Sequence, residues 1–226
     1  MDILYQDARI FVCLKPSGVV STDEAGGMPA RIRDWLGDEH ACVRTVHRLD
    51  AAVAGIMVFA RSKAAAALLS QQIRAHTFEK EYLAILRGVP TESSATLRDW
   101  LAYDRAARCA RVASGPGRDA REAVLDYRVL AEKDDCALVR VRLHTGRTHQ
   151  IRVQFSSRGL PLLGDRKYGA GAPDFPIALW SFRLCFSHPQ SGERLDFSAA
   201  PPDAAPWNIF SEFFLTQPEV YHEEKT

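Results

Sequence analysis

The chain has 226 residues, 46% hydrophobic and 25% charged, which supplies a sizeable core and excludes a disordered or fibrous polypeptide. Lys+Arg 29 against Asp+Glu 28 leaves a formal net charge of +1, so no global charge singles out a nucleic acid, a membrane surface or an acidic ligand. No run approaches the roughly 20 apolar residues of a membrane span, and MDILYQDARI carries acids where a secretory signal would be basic. The expectation is a cytoplasmic, monomeric, single domain over residues 1–226, with one core or a core in two lobes.

In chain order, ILYQD and IFVCLK gather β-branched and aromatic residues between polar breaks and predict two short strands. Lys15-Pro16-Ser17-Gly18 then predicts a turn. Ser21 to Met28 is polar and Gly-rich, a mobile loop by composition, and Pro29 to Leu36 suits a short helix with Pro at its first position. GIMVFA (Gly55 to Ala60) reads as a buried strand, after which Ser62 suits the N-cap of a helix ending near His76. Leu68, Leu69, Gln72 and Ile73 mark one side of that helix.

EKEYLAILRG predicts a strand covered on both faces and closed by Gly88. VLDYRVL and CALVRVRL predict two more strands, adjacent to each other. Leu97 to Glu122 is Gly- and Arg-rich with weak periodicity, an exposed arm or hairpin. His149 to Arg158 predicts a helix capped by Thr148, with Ile151 and Phe155 buried and Arg152 facing outward. LWSFRLCFSH adds strand, and APPDAAPW is a Pro-rich exit. Strands and helices mix without strict alternation, so the fold class is α+β.

Cys13, Cys42, Cys109, Cys136 and Cys185 are widely spaced, with no Cys-x-x-Cys pair, and read as reduced thiols. His144 and His149, the nearest histidine pair, miss the i,i+4 spacing of two ligands on one helical face, so neither metal nor cofactor is expected. Local charge says more: Leu97 to Lys167 holds fifteen Arg or Lys against nine Asp or Glu.

Three stretches stand out chemically. TVHRLDAAVAG puts His47, Arg48 and Asp50 on a loop before a strand. KEYLAILRG carries Tyr82 inside an apolar strand, where a tyrosine is ordinarily core. HTGRTHQIRVQFSSRGLPLLGDRKYG packs five Arg or Lys, two His, Thr148 and Gln150 around Gly-marked turns, a donor density suited to phosphates, although a salt-bridge belt would look similar.

Together these stretches resemble the RluA-type branch of the RNA pseudouridine synthases, whose pattern runs through an ILYED-like strand, KPxG, HRLDxxTSG, KxYxAxxxG, TGRxHQxRxH and GxPxLGDxxYG. The matching blocks are ILYQDARIFVCLKPSG, VHRLDAAVAG, FEKEYLAILRG, TGRTHQIRVQ and RGLPLLGDRKYG, in that order. Val53 and Ala54 stand where the pattern has Thr-Ser, Gln154 where it has His, and ALWSF where relatives carry a Leu-His-Ala-like strand. The chain also begins at the first catalytic-domain strand, so the small N-terminal RNA-binding domain of many relatives is not expected.

The resemblance implies the pseudouridine synthase fold, a mixed and largely antiparallel central sheet flanked by helices and loops. It implies an isomerase that converts uridine in structured RNA to pseudouridine without cofactor or metal, ribosomal RNA being favoured over transfer RNA. Asp50 would be the essential carboxylate, whether it attacks the sugar, adds to the base or removes a ribose proton. Arg152 would pair with it and keep it ionised. Tyr82 would stack on the uracil and serve in removing the last ring proton. The uridine would be flipped out of its helix, and Arg48 would fill the vacated place. His47, Arg147, Thr148, His149, Arg166 and Lys167 would contact RNA. A silent RNA-binding module on the same fold is the alternative, but it has little use for Asp50, Tyr82 and Arg152. A glycosidic hydrolase would need a paired second carboxylate, which the matched blocks lack.

Overall fold

The structure, a computed structural model, describes residues 1–169 and 174–216. Its elements in chain order are β1 (Ile3–Gln6), β2 (Ile10–Lys15), α1 (Met28–Leu36), β3 (Arg44–Thr45), β4 (Ala54–Ala60), α2 (Lys63–Arg74), β5 (Glu79–Arg87), β6 (Ser94–Asp104), β7 (Cys109–Ala113) and β8 (Ala120–Lys133). They continue with β9 (Cys136–Leu143), α3 (Gln150–Ser156), β10 (Leu179–Ser187), β11 (Arg194–Ser198), a 3-10 turn (Trp207–Phe210) and α4 (Ser211–Thr216). The expected α+β class holds: β1–β2, β2–β4, β3–β4, β5–β9, β6–β7, β6–β8, β8–β9 and β10–β11 pair antiparallel, and β4 runs parallel to β10. Among the described residues no helix is long and apolar enough to cross a membrane.

The residues divide into two compact units, the first comprising Met1–Lys80 and Trp180–Pro201, the second Glu81–Leu179 and the segment from Pro202. In the first unit β2 pairs with β1 on one side and β4 on the other, and β10 pairs with both β4 and β11. Alternate residues Ile10 and Val12, Ile56 and Val58, and Leu184 and Phe186 project to one face and meet Ala65, Leu69 and Phe78. The Phe78 and Phe186 rings stack with centroids 5.0 Å apart.

Helix α2 begins as its sequence predicts, with the Ser62 hydroxyl accepting from Ala65 N at 3.1 Å. It docks through Ala65 and Leu69, and the Gln72 amide both donates to Ser187 O and accepts from Ser187 N, each at 2.8 Å. Leu68 departs from the expected stripe: it is 43% exposed, because the apolar arc facing the sheet is narrower than the sequence suggests.

The second unit is an antiparallel sheet in the spatial order β5-β9-β8-β6-β7. Asp134 and Asp135, with φ of 51° and 56°, join β8 to β9 in a two-residue turn, both positions tolerating the left-handed region as a tight hairpin requires. The weakly periodic stretch Leu97 to Glu122 forms the β6–β7 hairpin, whose turn is fixed by the Asp104 carboxylate accepting from Ala106 N and Ala107 N at 2.9 Å. Leu101 and Ala110 anchor it against Val153 of α3, while Arg105, Arg108 and Arg111 stay exposed.

Where β4 meets β10, Gly55 holds φ +119°, and a Cβ there would lie 2.4 Å from Ser181 O and 2.5 Å from Ser181 N. Both obstacles are backbone and cannot swing aside. Gly55→Ala should therefore cost at least about 3 kcal/mol or prevent folding, read as a large fall in the thermal unfolding midpoint. A variant that melts with the parent would show that this strand contact is not close.

Candidate active site

The loop between β3 and β4 carries Asp50, and every backbone carbonyl from Leu49 to Ala52 is held. Ser21 Oγ donates to Leu49 O at 2.8 Å and accepts from Leu49 N at 3.0 Å. Asp50 O receives Val53 N at 3.0 Å, Ala51 O receives Gly18 N at 2.8 Å, and Ala52 O receives Ser17 Oγ at 2.8 Å. Buried Leu49 and Val53 anchor the two ends, and half-buried Asp50 stands between them. The Lys15–Gly18 turn thus does more than reverse the chain, because its Ser, Gly and Lys all grip the loop that bears Asp50.

Lys15 reads in the sequence only as part of that turn. In the fold it is 1% exposed, and its ammonium donates to Pro16 O at 2.9 Å, Val19 O at 2.6 Å and Ala51 O at 3.0 Å. Burial pushes its pKa down to about 8, against the opposing pull of the Asp50 charge. A cation within electrostatic reach of Asp50 is thus built into the first unit, a role for which the sequence points to Arg152, with Arg147 or Arg48 as alternatives.

His47 is also inside rather than at the surface. It is 8% exposed, its Nε2 accepts from Val58 N at 3.1 Å, and its ring lies 5.6 Å from that of Phe78. Burial, with the Lys80 charge added, pushes its pKa down to about 3. A neutral, enclosed ring is no outward contact for an RNA backbone, which corrects the simplest form of that expectation. Arg48, its neighbour, is exposed.

In the second unit Tyr82 is 6% exposed on β5, opposite Val141 of β9. Helix α3 is shorter than expected and lacks its cap: Thr148 is exposed, and His149 occupies the N-cap with φ 56° and no side-chain cap bond. Arg152 does not face outward. It is 7% exposed, and every residue from Gln150 to Phe155 is buried. The reason is Asp165, whose two oxygens take Arg152 Nε and Nη2 at 2.8 Å each, so the charge can go inside. Asp165 Oδ1 also accepts from Lys167 N at 2.9 Å and Tyr168 N at 3.1 Å. Burial would raise its pKa, but the Arg152 bonds and charge and the two amides hold it below the usual carboxylate value.

Tyr168 completes this knot. Its ring lies 5.1 Å from the Arg152 guanidinium carbon, and its hydroxyl accepts from Ala110 N at 2.6 Å and meets His149 Nδ1 at 2.7 Å. Lys167 Nζ donates to Arg108 O at 2.6 Å, and Arg147 Nε to Glu122 O at 2.8 Å. Arg147, His149 and Lys167, three expected RNA contacts, therefore all tie the α3 region to the β6–β8 strands, while Arg166 is exposed. Gln154, which stands where the family pattern has His, is fully buried and donates to Asp99 at 2.7 Å. Asp165 and Tyr168 lie within RGLPLLGDRKYG, but their roles are hidden there, because an Asp after Gly ordinarily reads as a turn residue. Among the described residues no three His, Cys, Asp or Glu side chains gather as metal ligands.

Residues 9–157 match the family model described as RNA pseudouridylate synthase. The chain is 34% identical to the uncharacterized RNA pseudouridine synthase YhcT of Bacillus subtilis over 76% of its own length and 59% of that protein's. It is 32% identical to ribosomal large subunit pseudouridine synthase D of Zymomonas mobilis, over 89% of this chain and 69% of that one. In fold it is similar to human RNA pseudouridylate synthase domain containing 1, with a TM-score of 0.78 at 24% identity, covering 100% of this chain and 96% of that one. The chain belongs to the RluA-type family of RNA pseudouridine synthases and has its fold.

Two stability outcomes are expected from this geometry. Lys15→Met would leave the Val19 carbonyl without its buried donor and take the ammonium from the part-buried carbonyls of Pro16 and Ala51, and should cost about 1–3 kcal/mol in urea unfolding; an unchanged midpoint would mean that the ammonium is not holding the loop. For His47 the folded pKa of about 3 lies below the ordinary 6.5, so between these values the unfolded chain binds more protons. Stability should be level above pH 6.5 and fall below it, by up to about 1.4 kcal/mol per pH unit. His47→Gln should remove most of that slope between pH 6.5 and 4.5, and a slope unaltered by the substitution would assign it to other groups.

Proposed function

We propose that this chain isomerises uridine to pseudouridine in structured RNA, with Asp50 as the essential ionised carboxylate and ribosomal RNA as its preferred substrate. The observation that carries the reading is the Asp50 loop, in which each carbonyl from Leu49 to Ala52 is engaged while the carboxylate-bearing residue stays partly open to solvent. Such rigidity suits a reaction in which the base must detach, turn and reattach at a fixed point. Membership in the family supports the reaction class, and the name of the Zymomonas relative supports the choice of ribosomal RNA.

In this reading Tyr82 stacks on the uracil and assists the final ring deprotonation, and Arg152 stabilises the charged form of the Asp50 carboxylate. Arg48 is exposed and takes the place of the flipped nucleotide. Exposed Thr148, Arg166 and Lys167, with Arg147 and His149, contact the strand, and the cations of the β6–β7 hairpin extend that contact. The reaction is redox-neutral and transfers no external group, so it asks for no cofactor.

Asp50→Asn, nearly isosteric but unable to ionise, should abolish pseudouridine formation on in vitro transcribed ribosomal RNA, read by pseudouridine mapping, with the melting temperature and most RNA affinity retained. Substantial turnover by this variant would make Asp50 a structural residue. Joint reversal of Arg105, Arg108 and Arg111 to Glu should weaken RNA binding at least tenfold at low salt and flatten its salt dependence. Unaltered affinity would remove the hairpin from the RNA-binding surface.

A further inference from the structure

Tyr103, near the end of β6, is 42% exposed, although Leu101 and Ala102 before it are buried. A lone exposed aromatic needs no special cause, but this one differs in its company. The His149 ring lies 6.2 Å away with the two planes inclined at 70°. An edge-to-face contact of that kind orients the tyrosine and covers at most one of its faces.

His149 is itself fixed. Its Nδ1 meets the Tyr168 hydroxyl at 2.7 Å, and the two rings lie 5.5 Å apart at 75°. The same hydroxyl accepts from Ala110 N at 2.6 Å, and Ala110 stands opposite Tyr103 in the β6–β7 ladder. At the start of α3, His149 holds φ 56° and makes no side-chain cap bond. Ser, Thr, Asp or Asn would start the helix better, so the ring's task lies with the two tyrosines and not with the helix.

Charge completes the setting. One pair further along the ladder Asp104 stands opposite Cys109, and Lys167 Nζ donates to Arg108 O, the next residue of the turn, at 2.6 Å. Arg105, Arg108 and Arg111 are exposed on this hairpin, while the Asp104 carboxylate is taken up by the amides of Ala106 and Ala107. A ring with an open face among cations is how single-stranded nucleic acid is held: phosphates meet the charges, and a base meets the ring.

We propose that Tyr103, oriented by His149, is a stacking platform for one unpaired base of the RNA, which rests on the reading of the β6–β7 hairpin as an RNA contact. Tyr82 is assigned to the uracil that reacts, so the base on Tyr103 belongs to another nucleotide. Every base has a π-face, so the platform selects for an unpaired base more than for a particular one.

The test measures binding of the full chain to fluorescein-labelled hexa-adenylate and to a fully paired RNA duplex by fluorescence anisotropy. Tyr103→Leu should weaken hexa-adenylate binding about tenfold and leave duplex binding as in the parent, and Tyr103→Trp should restore the hexa-adenylate affinity. Stacking releases no counterion, so the slope of affinity against salt should match the parent's in both variants, unlike that of the triple arginine reversal. In the chain labelled with 13C-tyrosine, hexa-adenylate should move the Tyr103 ring signals upfield. Undiminished affinity in Tyr103→Leu, an equal loss on duplex, a flattened salt slope, or a Tyr103→Trp chain that binds no better than Tyr103→Leu would each overturn the platform. Ring signals unmoved by hexa-adenylate would overturn it too. None of these measurements depends on turnover, so they separate failure of the platform from failure of the isomerase reading, which the Asp50→Asn assay decides, and of the hairpin reading, which the arginine reversal decides.

Discussion

The ammonium of Lys15 is the interaction on which the rest of the first unit's chemistry depends. A lysine enclosed to 1% exposure would ordinarily be intolerable, and here it is tolerated because the carbonyls of Pro16, Val19 and Ala51 replace its water. Pro16 and Val19 belong to the turn and its exit, while Ala51 belongs to the loop of Asp50. One cation therefore fastens two chain segments separated by 36 residues, and it lies within electrostatic reach of the carboxylate those segments present. Because each bond is charge-assisted, the loop is fixed more firmly than neutral turn contacts would fix it.

The second unit solves the same problem with different chemistry. Arg152 is buried, but its planar fork meets a planar carboxylate at two points, and the aromatic ring of Tyr168 covers the guanidinium. Tyr168 then reaches Ala110 N and His149 Nδ1, so one residue couples α3 to the hairpin that bears the exposed arginines. The left-handed His149 belongs to this coupling: φ of 56° is unusual outside glycine, and the ring's bond to Tyr168 and its edge contact with Tyr103 help to hold it there.

Much of this is legible in the sequence, and the parts that are not share a cause. Strand IFVCLK, strand GIMVFA, the Ser62 cap and the strand around Tyr82 emerge from local pattern, because alternation and capping are short-range effects. The hairpin within Leu97 to Glu122 is legible only as an alternative, since its strands bury one residue here and there. Arg152 is sorted to the wrong side because helical periodicity divides residues by polarity, and a polar residue that finds a buried partner breaks the rule. Asp165 lies 13 residues away in the chain, and nothing local announces it. Lys15 is hidden for the same reason, its farthest acceptor being Ala51.

Buried cations in this chain can thus be ranked by what completes them. Lys15 is satisfied by backbone carbonyls, which neutralise no charge but supply every donor with an oxygen. Arg152 is satisfied by a carboxylate and a ring, which do both. Arg183, 7% exposed, likewise takes a carboxylate, that of Asp196, whose oxygens accept from its Nε at 2.9 and 3.1 Å and from its Nη2 at 2.6 Å. A planar fork can share one planar carboxylate at two points, whereas a point-charge ammonium needs a separate acceptor for each of its three donors, and Lys15 finds them only where the turn and the Asp50 loop converge.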